Sequence, residues 1–113
     1  MTNVATASWA TKRTDETRHV EQVLRDAGFD RVDAYRYNSA SIRVRVIDTR
    51  FEGLPTEKRD AMVEPHIEKL PARTQADIVT LVTFAPSDLE KRPETLGQHL
   101  LNAEFETPSP SRL

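Results

Sequence analysis

Between Ser41 and Thr49 the chain alternates Ile42, Val44 and Val46 with Arg43 and Arg45, and no other feature limits the fold as tightly. Successive side chains of a strand point to opposite faces, so this run belongs in a sheet with one apolar face and one arginine face. Arg31 to Tyr37 carries Val32, Tyr35 and Tyr37 and breaks at Asn38-Ser39. Together the two runs predict a hairpin with one wet face.

The segments around the hairpin change period. Val20, Val23, Leu24 and Ala27 fall at i, i+3, i+4 and i+7, one face of a helix that starts at Asp15-Glu16 and can stop at Gly28. After Leu54-Pro55-Thr56 a second stripe runs through Met62, Val63, His66, Ile67 and Leu70, with Thr56 expected as N-cap. Pro65 lies inside that stripe and removes one backbone hydrogen bond, at about 3 kcal/mol, which predicts a kink between Ala61 and Pro65. Ile78 to Phe84 is apolar at both parities and too short for a helix, so it is expected to be the best-buried strand. Thr95-Leu96-Gly97-Gln98 has capping-box spacing ahead of Leu100, Leu101 and Phe105, which suggests a short further helix.

Helix, hairpin, helix, strand is the order of an α+β domain. The helical crossover makes the second and third strands parallel, giving a three-stranded mixed sheet covered on one face by two helices, with the short C-terminal helix added. A chain of 113 residues has room for one such domain. The expected division is a flexible N-terminal arm over residues 1–14, the α+β domain over 15–86, and a C-terminal extension over 87–113 that ends in an exposed tail. Trp9 is the single tryptophan, in an arm otherwise poor in large apolar groups, and could either anchor the arm or remain mobile. Leu96, Leu100, Leu101 and Phe105 could dock on the domain or on a partner.

The chemistry is bounded as much by what is missing. Without cysteine there is no disulfide, thiolate nucleophile or sulfur-ligated metal. A net charge of −2 exerts no overall pull on nucleic acid or acidic membranes, and no stretch approaches the ~20 apolar residues of a membrane span. A soluble cytoplasmic protein is the expectation. His19, His66 and His99 lack the spacing of a preformed metal site, so no metal or cofactor is expected. Asp77 could pair with Asp48, Glu52 or Asp60 for acid–base work, yet no spacing brings a particular pair together. There is no phosphate loop and no nucleophile elbow, so no catalytic residue is assigned and an enzyme is not expected.

The sharpest signal is a cluster of Arg36, Arg43, Arg45 and Arg50 beside Tyr35 and Tyr37, a combination that can bind phosphates and stack bases. The plainer account makes Arg43 and Arg45 the solvent face of an alternating strand. With only Gly28, Gly53 and Gly97, the chain has no Gly-x-x-Gly loop of the kind KH domains use against phosphates.

In order, the chain presents Arg43-Val44-Arg45-Val46-Ile47, then Phe51-Glu52-Gly53-Leu54, then Arg59 and Val63, then Thr83-Phe84-Ala85-Pro86. Over roughly Glu16 to Pro86 this resembles the BolA family: its strand, its Phe-x-Gly turn, its Arg-bearing second helix and its closing Thr-x-Thr-Pro. The resemblance implies a KH-related α-β-β-α-β fold. It also implies a protein partner, such as a monothiol glutaredoxin, with which many members share an iron–sulfur cluster through a His before the last strand. Here Asp77 stands at that position, and a carboxylate is a harder, differently placed donor than imidazole. Where the family often reads Arg-His-Arg this chain has Arg59-Asp60-Ala61, so only Arg59 carries over.

Two functions follow as expectations. One is a non-enzymatic adaptor that binds a protein without the iron–sulfur ligation, using the sheet edge, the second helix and the terminal extension. The other is a nucleic-acid-binding domain built on the arginines. The candidate binding residues are Arg36, Arg43, Arg45, Arg50, Arg59 and Asp77.

Overall fold

The computed structural model describes residues 8–113. Helix α1 (Asp15–Asp26) begins with a reciprocal cap: the Thr14 hydroxyl accepts from the Thr17 amide and the Thr17 hydroxyl accepts from the Thr14 amide. It stops before Gly28, whose φ of +97° is a left-handed backbone that other residues resist. Strands β1 (Arg31–Asn38) and β2 (Ser41–Ile47) form the antiparallel hairpin, with Val32 opposite Val46 and Ala34 opposite Val44. A 3-10 turn at Thr49–Phe51 buries Phe51 completely, and Gly53 follows at a φ of +73°.

Helix α2 (Thr56–Ile67) and helix α3 (Ala72–Asp77) make the crossover to β3 (Ile78–Phe84), which pairs parallel to β2. The sheet order is β1-β2-β3. Helix α4 (Leu96–Glu106) closes the ordered elements. This is the expected α+β architecture with its three-stranded mixed sheet. Val20 and Leu24 of α1, Val63 of α2, Phe51 and the alternating Ile42, Val44 and Val46 form its main core.

Several details depart from the sequence-based expectations. Pro55, not Thr56, occupies the N-cap. Helix α2 continues through Pro65 to Ile67; the proline falls in the last turn, and Leu70 is buried beyond the helix end. Helix α3 carries no apolar stripe long enough to announce itself. The best-buried strand is the central β2, whereas β3 is an edge strand with Val79 63% exposed. Its apolar residues at both parities reflect cover above and below the sheet, not a central position.

That second cover replaces the wet face. Trp9, in a 3-10 turn at Ser8–Lys12, packs with Tyr35 and Phe105, ring centroids 4.8 to 6.0 Å apart, on the side of the sheet opposite α1. The described part of the N-terminal arm is therefore docked, while the expectation of flexibility for residues 1–7 lies outside the described residues. The tail beyond α4 is largely exposed, but Tyr37 donates to the Ser109 carbonyl and Asn38 to the Ser111 hydroxyl.

Candidate interaction surface

Each candidate arginine has a carboxylate partner. Arg36, at the end of β1, bonds Glu16 of α1 and, at 2.6 Å, Asp77 at the end of α3. Those two hydrogen bonds hold its guanidinium more firmly protonated than usual. Arg43 meets Glu104 at 2.9 Å, donates to the Tyr35 hydroxyl and lies 3.6 Å over the Tyr37 ring. Arg45 is 1% exposed, held by Asp33 at 2.7 Å, Glu106 at 2.6 Å and Asn102 at 2.8 Å, and stacked over Phe105.

Arg50 forks onto Asp48 at 2.9 and 3.0 Å and lies over Phe29. Burial pushes the Asp48 carboxyl up, but Arg50 and the backbone N–H groups of Arg50 and Asp30 outweigh it and leave the group below the usual range. Arg59 ties the start of α2 to the Leu54 and Thr83 carbonyls and to Asp88. The sequence groups four of these arginines as one patch; the fold spreads them over both sides of the sheet and pairs each with an acid. Arg43 and Arg45 are not a solvent face, because α4 lies on them.

Asp77 meets a guanidinium, not another carboxylate. It ends α3, half-buried, with its carboxylate engaged by Arg36. Among the described residues no three His, Asp or Glu side chains converge as a metal site. A hard carboxylate already paired with a guanidinium does not fit the imidazole role in a shared iron–sulfur cluster.

Glu104 fastens the tail. The Ser109 hydroxyl and amide, then Arg43, hold its carboxyl down from 4.5 to about 2. A depressed carboxyl stabilises its contacts above its unfolded value, and the contribution is lost as pH falls through the folded one. The Ser109 amide shift in NMR is therefore expected to stay constant from neutral pH through 4.5 and to move with a midpoint near 2. A midpoint near 4.5 would mean that the tail is not held by Glu104.

The open edge lies elsewhere. On one side β3 pairs with β2, and beyond its other side no strand follows among the described residues. Its sequence, Ile-Val-Thr-Leu-Val-Thr-Phe, contains no charge and no proline, two of the devices that discourage strand pairing at an edge; a third, an irregular register, is confined to its start, where Val79 is the extra residue between Ile78 and Thr80. A groove flanks it on each face of the sheet. On the α2–α3 side, a groove of about 290 Å³ has an apolar floor of Ile67, Ile78 and Leu81 and a wall of Asp60 and Glu64. On the α4 side, about 90 Å³ lies between Thr80, Val82 and Leu101. Asp60 accepts from the Thr83 hydroxyl, and neither it nor Glu64 enters an ion pair among the described residues.

Sequence reasoning took β3 for a core strand and missed this edge. The available signal was Asp60 and Glu64, like charges four apart on one helix, which repel unless something answers them. Compared with family models, with curated proteins and with solved structures, the chain finds no match in any of the three.

Proposed function

We propose that this protein is a non-enzymatic adaptor that binds another protein by adding an extended segment of it to the open edge of β3. The observation that carries the reading is that edge: a seven-residue strand without charge or proline, exposed at Val79 and grooved on both faces. Main-chain hydrogen bonds at such an edge supply affinity, and alternate side-chain grooves supply selectivity. The BolA-like order of motifs supports the same class of function, makes a monothiol glutaredoxin the first candidate partner, and suggests a cytoplasmic setting. The iron–sulfur ligation of that family forms no part of the proposal, since Asp77 is paired with Arg36.

The nucleic-acid reading has less support, because its arginines already face Glu16, Asp77, Glu104, Asp33, Glu106 and Asp48. An affinity pull-down from native cell extract, with and without nuclease, separates the two. A defined protein is expected to survive nuclease and to be lost with Val79→Glu, which places a charge on the edge. Because Val79 is exposed, that substitution should change stability by no more than about 0.5 kcal/mol. Recovery that disappears with nuclease and weakens steeply with salt would instead favour nucleic acid.

A further inference from the structure

The two grooves beside β3 differ in size and charge, and the difference restricts what can be added there. A strand laid along an edge sends successive side chains to opposite faces of the sheet. Those on the α2–α3 side would enter the larger groove, of about 290 Å³, over Ile67, Ile78 and Leu81 and against Asp60 and Glu64. The aliphatic stem of a lysine or arginine covers apolar surface while its head stays at a polar rim, so the groove suits a long cationic side chain. Those on the α4 side would enter about 90 Å³ between Thr80, Val82 and Leu101, where Arg43 and Glu104 already neutralise one another. That space suits a small apolar side chain.

We propose that the β3 edge takes an extended basic segment of another protein, with lysine or arginine at alternate positions directed at Asp60 and Glu64 and small apolar residues between them. The inference rests on the reading of β3 as a binding edge and adds the chemistry of the partner. Charge complementarity argues against a second copy as the occupant: β3 itself carries no cation, so pairing two β3 strands leaves Asp60 and Glu64 unanswered.

The test uses the full chain, isotope-labelled, titrated with blocked heptapeptides and followed by amide shifts. One peptide alternates valine with lysine, a second alternates valine with glutamate, and a third is the lysine peptide N-methylated at every residue so that it has no backbone donor on either edge and cannot pair as a strand. The lysine peptide is expected to shift the amides of Ile78 to Val82 and to bind at least ~10-fold more tightly than the other two. The double variant D60N/E64Q, whose amide oxygen at position 60 can still accept from the Thr83 hydroxyl, should weaken it several-fold and narrow the gap to the glutamate peptide.

Equal binding of the lysine and glutamate peptides with β3 shifts would overturn the charge assignment while leaving the edge standing. Equal binding of the N-methylated peptide would overturn strand addition itself. If no peptide moves β3, the basic segment is wrong, and the Val79→Glu pull-down decides the edge separately. Concentration-dependent dimers in sedimentation that bury β3 would make a second copy the occupant and overturn the proposal.

Discussion

Replacing Arg45 by alanine is expected to destabilise the protein by about 3–5 kcal/mol, read as a lower urea midpoint at unchanged slope. The guanidinium is almost fully buried and answers two carboxylates from different parts of the chain: Asp33, on the neighbouring strand, and Glu106, at the end of α4. Removing it leaves Asp33 buried with only Arg31 beside it, at 3.0 Å. It also takes the stacked plane away from Phe105. The double variant Arg45→Met with Asp33→Asn should recover part of the loss, because neither partner is then left charged in a dry site. Arg18→Ala is the control: its pair with Asp15 is exposed on both sides, and exposed pairs contribute about 0–1 kcal/mol. If the two arginine variants cost the same, the face beneath α4 is open to water, and the nucleic-acid reading regains its footing.

Phe105→Ala should cost a comparable ~3–5 kcal/mol, the usual loss for truncating a buried phenylalanine. Its ring meets Tyr35 edge-on at 4.8 Å and Trp9 at 5.6 Å, while its carbonyl accepts from the Tyr35 hydroxyl. Trp9 in turn donates to Glu106 at 2.7 Å, so both ends of the described chain are held in one aromatic cluster. The protein has a single tryptophan, and its emission reports this cluster alone. A shift to the red is expected in the variant, with faster amide exchange in α4 and little change in α1, which belongs to the other core. An unchanged emission with a stability loss below about 1 kcal/mol would mean that α4 is not fastened through Phe105.

These two substitutions probe the same structural fact, that the arginine face of the hairpin is an interior. The cover over it leaves the β3 edge and the outer ridge of α4, with Leu96, Leu100 and Leu101 more than half exposed, as the apolar surface open to other molecules. Of these, the edge has no further strand beside it among the described residues and lies between two grooves, with Arg59 taking only the Thr83 carbonyl near its end, and the ridge offers only side chains.

Local pattern made much of the fold legible. The alternation from Ile42 to Val46, the stripe from Val20 to Ala27 and the turn glycines at 28 and 53 each have one physical solution, and the structure adopts it. Alternation separates two faces of a strand, but it is silent on what lies against each. Arg43 and Arg45 were legible as one face, yet whether water or acids from α4 would meet them depended on Glu104 and Glu106, about sixty residues further along. The apolar run of β3 was equally ambiguous: a central strand and an edge strand covered above and below have the same composition.

The sequence by itself determined the hairpin, helices α1, α2 and α4, the last strand and the parallel crossover, but not helix α3, because backbone geometry and periodicity act over a few residues. Only the tertiary structure decided that β3 lies at an edge of the sheet, which arginines are buried and which acids meet no cation among the described residues. Those outcomes depend on contacts between segments far apart in the chain, where burial and charge pairing are settled together.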